Sequence, residues 1–312
     1  MSDLQRYIVE EWAEEYRDGR LHRREFLRRT ILLAGGAALA VPVLQSLGVS
    51  ASPVEIADAA SAPPPTVAQA PGITVPPNDP AIASAAMVSF ASGAVAVQAY
   101  LAKSRAAGPV PGVVVIHENR GLLEHFKDVC RRFAKVGYAA LAVDLASAEG
   151  GTAKFTDLAQ VTAILGRTPP EQLVAMLNAG VRYLQGQSGV RRDRIGAMGF
   201  CFGGGMTWRL ATANAELKAT APFYGSNPPL DDVAKIKAAV LAVYGALDER
   251  INAGIPAVRE AMQKASVVHE IVIYPNAAHA FFNDTGASYN AAAAREAWTK
   301  VLGWFDKYLK ST

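Results

Sequence analysis

Apolar and polar positions along the chain change their period several times. At 87–91 and 95–101 they alternate with a period of two around Ser92-Gly93, which predicts a β-hairpin. At 113–116 four β-branched residues run together, the pattern of a strand covered on both faces. Further short apolar runs follow at 139–143, 194–200, 219–224, 239–244 and 269–274. Between them the period lengthens to that of helices: at 123–136, which Gly137 stops, then in the stretch to about Gln185, and last at 289–309. Strands alternating with helices of this length predict an α/β fold with a mostly parallel central sheet and helices on both faces. In such sheets ligands bind beyond the carboxyl ends of the strands. The polar residues just after each apolar run are therefore the ones to weigh.

The first 86 residues follow another pattern. Ile8, Trp12 and Tyr16 recur at a spacing of four, one face of a helix. Next come Arg23-Arg24-Glu25-Phe26-Leu27-Arg28-Arg29 and the uncharged run 31–44, the order of a signal peptide. Paired arginines ahead of Phe26 and Leu27 resemble a twin-arginine export signal, with His22 and Arg28 departing from its usual residues. Gly35, Gly36 and Pro42 interrupt the run, which is shorter than the roughly 20 apolar residues of a membrane span. The expectation is a signal segment over 1–51, with small-x-small cut sites at 49–51 and 57–59, a Pro/Ala-rich linker over 52–86, and one hydrolase-sized domain over 87–312. An exported, periplasmic or secreted location follows, with the twin-arginine machinery as partner of the precursor and uncleaved anchoring as the alternative.

Composition narrows the chemistry. With 51% hydrophobic and 19% charged residues among 312, the chain is globular. A net charge of +3 and no basic run interleaved with aromatics in the last two thirds argue against nucleic-acid binding. Cys130 and Cys201 are the only cysteines, too few for a disulfide framework, and no metal-binding spacing occurs. Cys130, within the helix at 123–136, reads as packing, as do Trp298, Trp304 and Phe305 on the last helix.

The candidate chemistry starts at Gly199-Phe200-Cys201-Phe202-Gly203. A Gly-x-nucleophile-x-Gly turn between strand and helix holds its central side chain exposed on a strained backbone, and the flanking Gly199 and Gly203 let strand and helix crowd together. A thiol there faces the positive end of the following helix. Asp248 and His279 come just after two later strands. Nucleophile, acid and histidine in that order form the α/β-hydrolase triad, although a lone strand-end Asp or His is more often structural. Glu118, after the strand at 113–116, stands where that fold places an oxyanion-hole amide; a helix-entry carboxylate is the simpler account of it.

Together, Ile-His-Glu-Asn-Arg-Gly at 116–121, Gly-Phe-Cys-Phe-Gly-Gly-Gly at 199–205, the Asp248 segment and His279-Ala280-Phe281 resemble the dienelactone hydrolase family, from about Met87 to the C-terminus. The resemblance implies hydrolysis of an enol-lactone, dienelactone to maleylacetate, or of a related ester. It makes Cys201 the nucleophile, His279 the base and later the acid, and Asp248 the group that fixes the imidazole. It makes Glu118 the carboxylate that holds the resting thiol neutral, and the backbone amides of Asn119 and Phe202 the oxyanion hole. It implies no metal, no organic cofactor and a small-molecule substrate; the chain is expected to be a monomer.

One position departs from the family. An arginine one helical turn beyond the catalytic histidine helps to bind the substrate's carboxylate there, and this chain has Asn283. Losing such a charge-assisted hydrogen bond removes about 1.5–3 kcal/mol, so the preference for dienelactone itself weakens and a related lactone or ester becomes an equal expectation; Arg120, Lys154 and Arg167 are candidate replacements, although each reads more simply as solvated surface charge. A broad carboxylesterase and a non-catalytic binding module on the same scaffold are the alternatives. A thiol redox role for Cys201 lacks a resolving cysteine nearby.

Overall fold

The computed structural model describes residues 1–63 and 74–311. Helices α1 (Asp3–Arg17), α2 (Arg23–Ala34), α3 (Ala37–Ser46) and α4 (Pro53–Ala60) precede the sheet. Ser2 caps α1 in a reciprocal pair with Gln5, and Ser52 caps α4 in the same way with Glu55. The spacing of four appears as expected: Ile8 and Trp12 are buried, and Tyr16 stacks on Phe26 of α2 at 5.1 Å. No single described helix is long and apolar enough to cross a membrane; α2 and α3, which together carry the apolar run, meet at 114°.

The stretch expected as a linker differs in part. Residues 53–60 form α4, because Ser52-Pro53 is a helix start and Glu55 completes its cap. The first strand begins at Ile82, five residues before the expected boundary. The proline-rich residues 64–73 lie outside the described residues.

The eight strands are β1 (Ile82–Ser92), β2 (Val95–Ser104), β3 (Val110–Ile116), β4 (Ala139–Val143), β5 (Val190–Phe200), β6 (Ala219–Phe223), β7 (Ala239–Gly245) and β8 (His269–Tyr274). They form one sheet in the order β1-β2-β4-β3-β5-β6-β7-β8. The hairpin β1–β2 and the pair β2–β4 are antiparallel; β4 through β8 run parallel. The expected α/β class is therefore the observed one.

The helices after β3 are α5 (Glu124–Lys135), α6 (Leu158–Arg167), α7 (Pro170–Gln185), α8 (Phe202–Ala213), the single turn α9 (Glu249–Asn252), α10 (Ile255–Lys264) and α11 (Ala291–Phe305). β3, β4, β6 and β7 are almost wholly buried, as unbroken apolar runs require when both faces are covered. Cys130 is fully buried on α5, and Phe305 and Trp304 are buried on α11, the packing roles expected of them.

Helices α1 and α2 pack on α6, on the face of the molecule where the parallel strands end. Arg28 ties them down: 4% exposed, it bonds Asp157 at 2.6 Å and Glu25 at 2.7 Å. Ser2 Oγ donates to the carbonyl of Gly166, whose lack of a side chain leaves room for Leu33 and Ile8. The N-terminal segment thus shares a hydrophobic core with the strand-helix domain.

Candidate active site

Strand β5 ends at Phe200, and helix α8 begins at Phe202. Cys201 between them has φ 55° and ψ −118°, a left-handed conformation that a side-chain-bearing residue adopts only under constraint. Two glycines permit the crowding. A Cβ on Gly199 would lie 2.2 Å from the carbonyl oxygen of Gly203, and one on Gly203 would lie 2.3 Å from that of Ile116. The amide of Cys201 donates to Phe223 of β6, and its carbonyl accepts from Gly204 and Gly205, which fixes the turn from both sides.

The expected partners gather at the same strand ends. Asp248 follows β7, and its Oδ2 lies 2.5 Å from His279 Nδ1. His279 follows β8; its Nε2 is buried, has no hydrogen-bond partner, and lies within 4.8 Å of Cys201 Sγ. Burial opposes charge on His279, but Asp248 and the thiol outweigh it, so the imidazole's pKa stands well above the ordinary value. The Cys201 thiol is pushed up to about 11, chiefly by burial and then by the charge of Glu11.

Asn119 and Phe202 sit on either side of the thiol's turn, one after β3 and one opening α8. Neither backbone amide donates a hydrogen bond among the described residues, which leaves both available to an incoming oxygen. His117 shapes the first of these turns. Its Nδ1 donates to the carbonyl of Glu118 at 2.6 Å, and its Nε2 accepts from the amide of Leu145 at 3.1 Å. Burial holds its pKa below the ordinary value, which suits a neutral structural ring.

Glu118 is half-buried beside the cluster but bonds elsewhere: Asn283 Nδ2 donates to its Oε2 at 2.9 Å, while its buried Oε1 has no partner. Asn283, the departure from the family's arginine, is thus spent on orienting Glu118. Of the three basic residues weighed as replacements, Arg120 lines the cleft above the thiol. Lys154 and Arg167 line a separate cavity near α6.

Two residues of α1 complete the site, and sequence reasoning missed both. Glu11, 8% exposed, places its two carboxylate oxygens 3.4 and 3.5 Å from Cys201 Sγ, accepts from Asn119 Nδ2 at 3.3 Å, and lies 3.9 Å from His279 Nε2. Tyr7 Oη, one helical turn earlier, is 3.5 Å from the same sulfur. With the thiol donating to Glu11, the tyrosine hydroxyl donates to sulfur. Burial raises the pKa of Glu11, with His279 and Arg250 pulling the other way. The signal for these residues was present in Glu10, Glu11, Glu14 and Glu15 on an amphipathic helix, since the basic start of a signal peptide has no use for them.

The resulting cleft holds about 290 Å³ and is walled by Trp12, Glu15 and Arg29 on one side and Glu118, Ala280 and Thr285 on the other. That size admits a small ester or lactone. Glu11, Cys201 and His279 are also the described residues whose donor atoms come close enough to share a metal ion; their own hydrogen bonds and that of His279 to Asp248 account for the arrangement without one.

The chain is similar to known proteins over its strand-helix domain. Residues 97–309 match the model of the dienelactone hydrolase family. A protein of Methylorubrum extorquens named "Putative carboxymethylenebutenolidase" is 36% identical over 224 residues, 68% of this chain and 77% of that protein. The crystal structure of a "Putative Dienelactone Hydrolase" from Klebsiella pneumoniae superposes with TM-score 0.67 at 34% identity, covering 72% of this chain and 98% of that one. A dienelactone hydrolase-like promiscuous phosphotriesterase from metagenomic libraries superposes with TM-score 0.63 at 27% identity, covering 72% and 98%.

Proposed function

Because the chain belongs to the dienelactone hydrolase family, as a carboxymethylenebutenolidase-like hydrolase, we propose that it cleaves a lactone or ester through the thiol of Cys201. The observation that carries this reading is the convergence of Cys201, His279 and Asp248 at three strand ends, with the thiol on a strained turn. His279 Nε2 takes the thiol proton as sulfur bonds to the acyl carbon. The amides of Asn119 and Phe202 bind the oxygen that becomes negative. The C–O bond then breaks, and the imidazolium returns its proton to the leaving oxygen, which in a lactone stays attached. Water, deprotonated by His279, attacks the thioester and frees the carboxylic acid and the thiol. Asp248 keeps the imidazole oriented and stabilises its charge. Elbow glycines Gly199 and Gly203 hold the geometry, and Glu118 borders the thiol without bonding to it.

A thiolate leaves more easily than an alkoxide, which favours activated esters and enol-lactones over amides. With Asn283 turned to Glu118, a neutral lactone or ester fits better than the carboxylate-bearing dienelactone. The family match and the intact triad residues favour an enzyme over a binding module. Export through the twin-arginine machinery belongs to the same proposal, as does a monomer. In the folded chain Arg23 pairs with Glu55 and Arg24 with Asp58, both partly exposed, so these contacts must open before the motif is read.

The test is hydrolysis of an activated aryl ester and of a dienelactone by the full chain and by Cys201→Ala. Turnover lost in Cys201→Ala, with circular dichroism unchanged, is the expected result, and the aryl ester is the faster substrate. Full activity in Cys201→Ala would refute a thiol mechanism.

A further inference from the structure

The carboxylate of Glu11 occupies the space in which the proposed reaction must take place. An acyl carbon has to come to about 3–3.5 Å from the attacking atom. Glu11 already holds oxygens 3.4 and 3.5 Å from Cys201 Sγ and 3.9 Å from His279 Nε2, so it lies between nucleophile and base. Asn119 Nδ2 binds both of its oxygens at 3.3 Å, beside the backbone amide proposed for the oxyanion. The product of ester hydrolysis is itself a carboxylate. Glu11 is bound as such a product would be.

The contacts of α1 with the domain show how this occupant is supplied. Leu4, Tyr7, Ile8, Val9, Trp12 and Ala13 bury the helix's apolar face, and its polar ties to the domain include Arg250 Nε to Glu14 at 3.1 Å and Ser2 Oγ to the carbonyl of Gly166 at 2.9 Å. A turn at Gly19, with φ 71°, separates α1 from α2, whose buried Arg28 ties that helix to Asp157 independently. Withdrawal of α1 therefore has to break its contacts with α2, among them Gln5 Nε2 to the carbonyl of Leu33 at 3.1 Å and Arg29 to Glu15 at 3.7 Å, while Arg28 keeps α2 in place.

We infer that α1 is a built-in cap on the active site, that Glu11 fills the acyl position and holds the thiol of Cys201 as a hydrogen-bond donor, and that an ester or lactone reaches the thiol only when α1 withdraws. This rests on the thiol-hydrolase reading above. It assigns control of the resting nucleophile to Glu11, and not to Glu118, whose bonded oxygen is engaged by Asn283.

Three variants of the full chain test it, each assayed for Cys201 alkylation by iodoacetamide and for hydrolysis of an activated aryl ester. In alkylation the sulfur bonds to the CH₂ carbon, iodide leaves, and the thiol proton passes to His279 and then to solvent. Cys201→Ala serves as the blank that separates Cys201 from Cys130. Glu11→Ala removes both volume and charge and should raise both rates at least tenfold. Glu11→Gln keeps the volume and should raise them less. Ile8→Ala weakens the docking of α1 without touching the site and should also raise both. Alkylation that is unchanged or slower in Glu11→Ala and Ile8→Ala, with circular dichroism intact, would overturn the cap. So would faster alkylation with hydrolysis lost, which would make Glu11 a participant in turnover. Hydrolysis that survives Cys201→Ala would instead refute the thiol mechanism, and the alkylation rates would still decide whether α1 covers the cysteine.

Discussion

Replacing Arg28 by leucine should loosen the N-terminal helices from the domain and leave the sheet intact. Arg28 is nearly inaccessible, and its guanidinium bonds Asp157 at 2.6 and 3.2 Å and Glu25 at 2.7 and 2.9 Å. Breaking a buried pair by removing one partner costs about 3–5 kcal/mol, because the other charge is left without compensation. Here the stranded groups keep some support: Asp157 still accepts from the amide of Ala159 at 3.0 Å, and Glu25 still pairs with Arg29 at 2.7 Å. Leucine also retains part of the buried hydrocarbon. The cost therefore falls below that range, at about 2–3 kcal/mol, which at about 1.4 kcal/mol per tenfold change is roughly a 30- to 150-fold loss of protection. Hydrogen exchange followed by mass spectrometry reads it directly: amides of α1 and α2 should exchange faster by that factor, while those of β5 and α8 keep their protection. Unchanged exchange in α2 would show that the buried pair does not hold the segment down. An equal loss in β5 would show that the segment and the domain open as one unit.

Two further outcomes follow from the site. Burial and the charge of Glu11 push the Cys201 thiol up to about 11, so the thiol carries its proton near neutrality and kcat/KM should rise toward alkaline pH. Tyr7, Glu11, Glu118 and His279 face the thiol; Glu11→Gln removes a charge that raises its pKa, so the rising limb should move to lower pH, and a limb that stays in place would refute this account of the shift. At Gly203 an added Cβ meets backbone, the carbonyls of Ile116 and His117 at 2.3 and 2.5 Å, so Gly203→Ala must push α8 off β3. Overpacking of this kind costs about 1–3 kcal/mol, or a fall in Tm of about 3–10 °C for a domain of this size; calorimetry showing a shift below 1 °C would mean that the elbow has slack.

The sheet was legible because its strands are buried on both faces. A run such as Val113-Val114-Val115-Ile116 has no other use, and β3 through β8 fall within a few residues of the apolar runs that mark them. The clustering of Cys201, Asp248 and His279 was legible for a related reason: in a parallel sheet the position just past each strand is predetermined, so topology brings these three residues together before any side-chain detail is known. Glu11 was not, because its role depends on where a separate helix docks, and no periodicity within α1 states that. The same limit explains α4, which a composition rich in Ala and Pro disguised as linker although Ser52-Pro53-Val54-Glu55 is a helix start.

The arginine-rich stretch illustrates how one segment can satisfy two demands. Read as a leader, 23–29 is a row of interchangeable positive charges with two apolar residues among them. In the folded chain each charge has its own partner: Arg23 with Glu55, Arg24 with Asp58, Arg28 with Asp157, and Arg29 with Glu25. A leader under no structural constraint has no reason to match Arg28 to a buried carboxylate that also caps α6, or to place Glu11, one helix before the basic stretch, against the thiol of Cys201. Those two contacts are what the proposed cap requires of the segment. Export and capping are compatible if the arginines of α2 are read while α1 is docked, since Arg23 and Arg24 lie nearer the surface than Arg28. The chain would then travel with its thiol hydrogen-bonded and its acyl position filled.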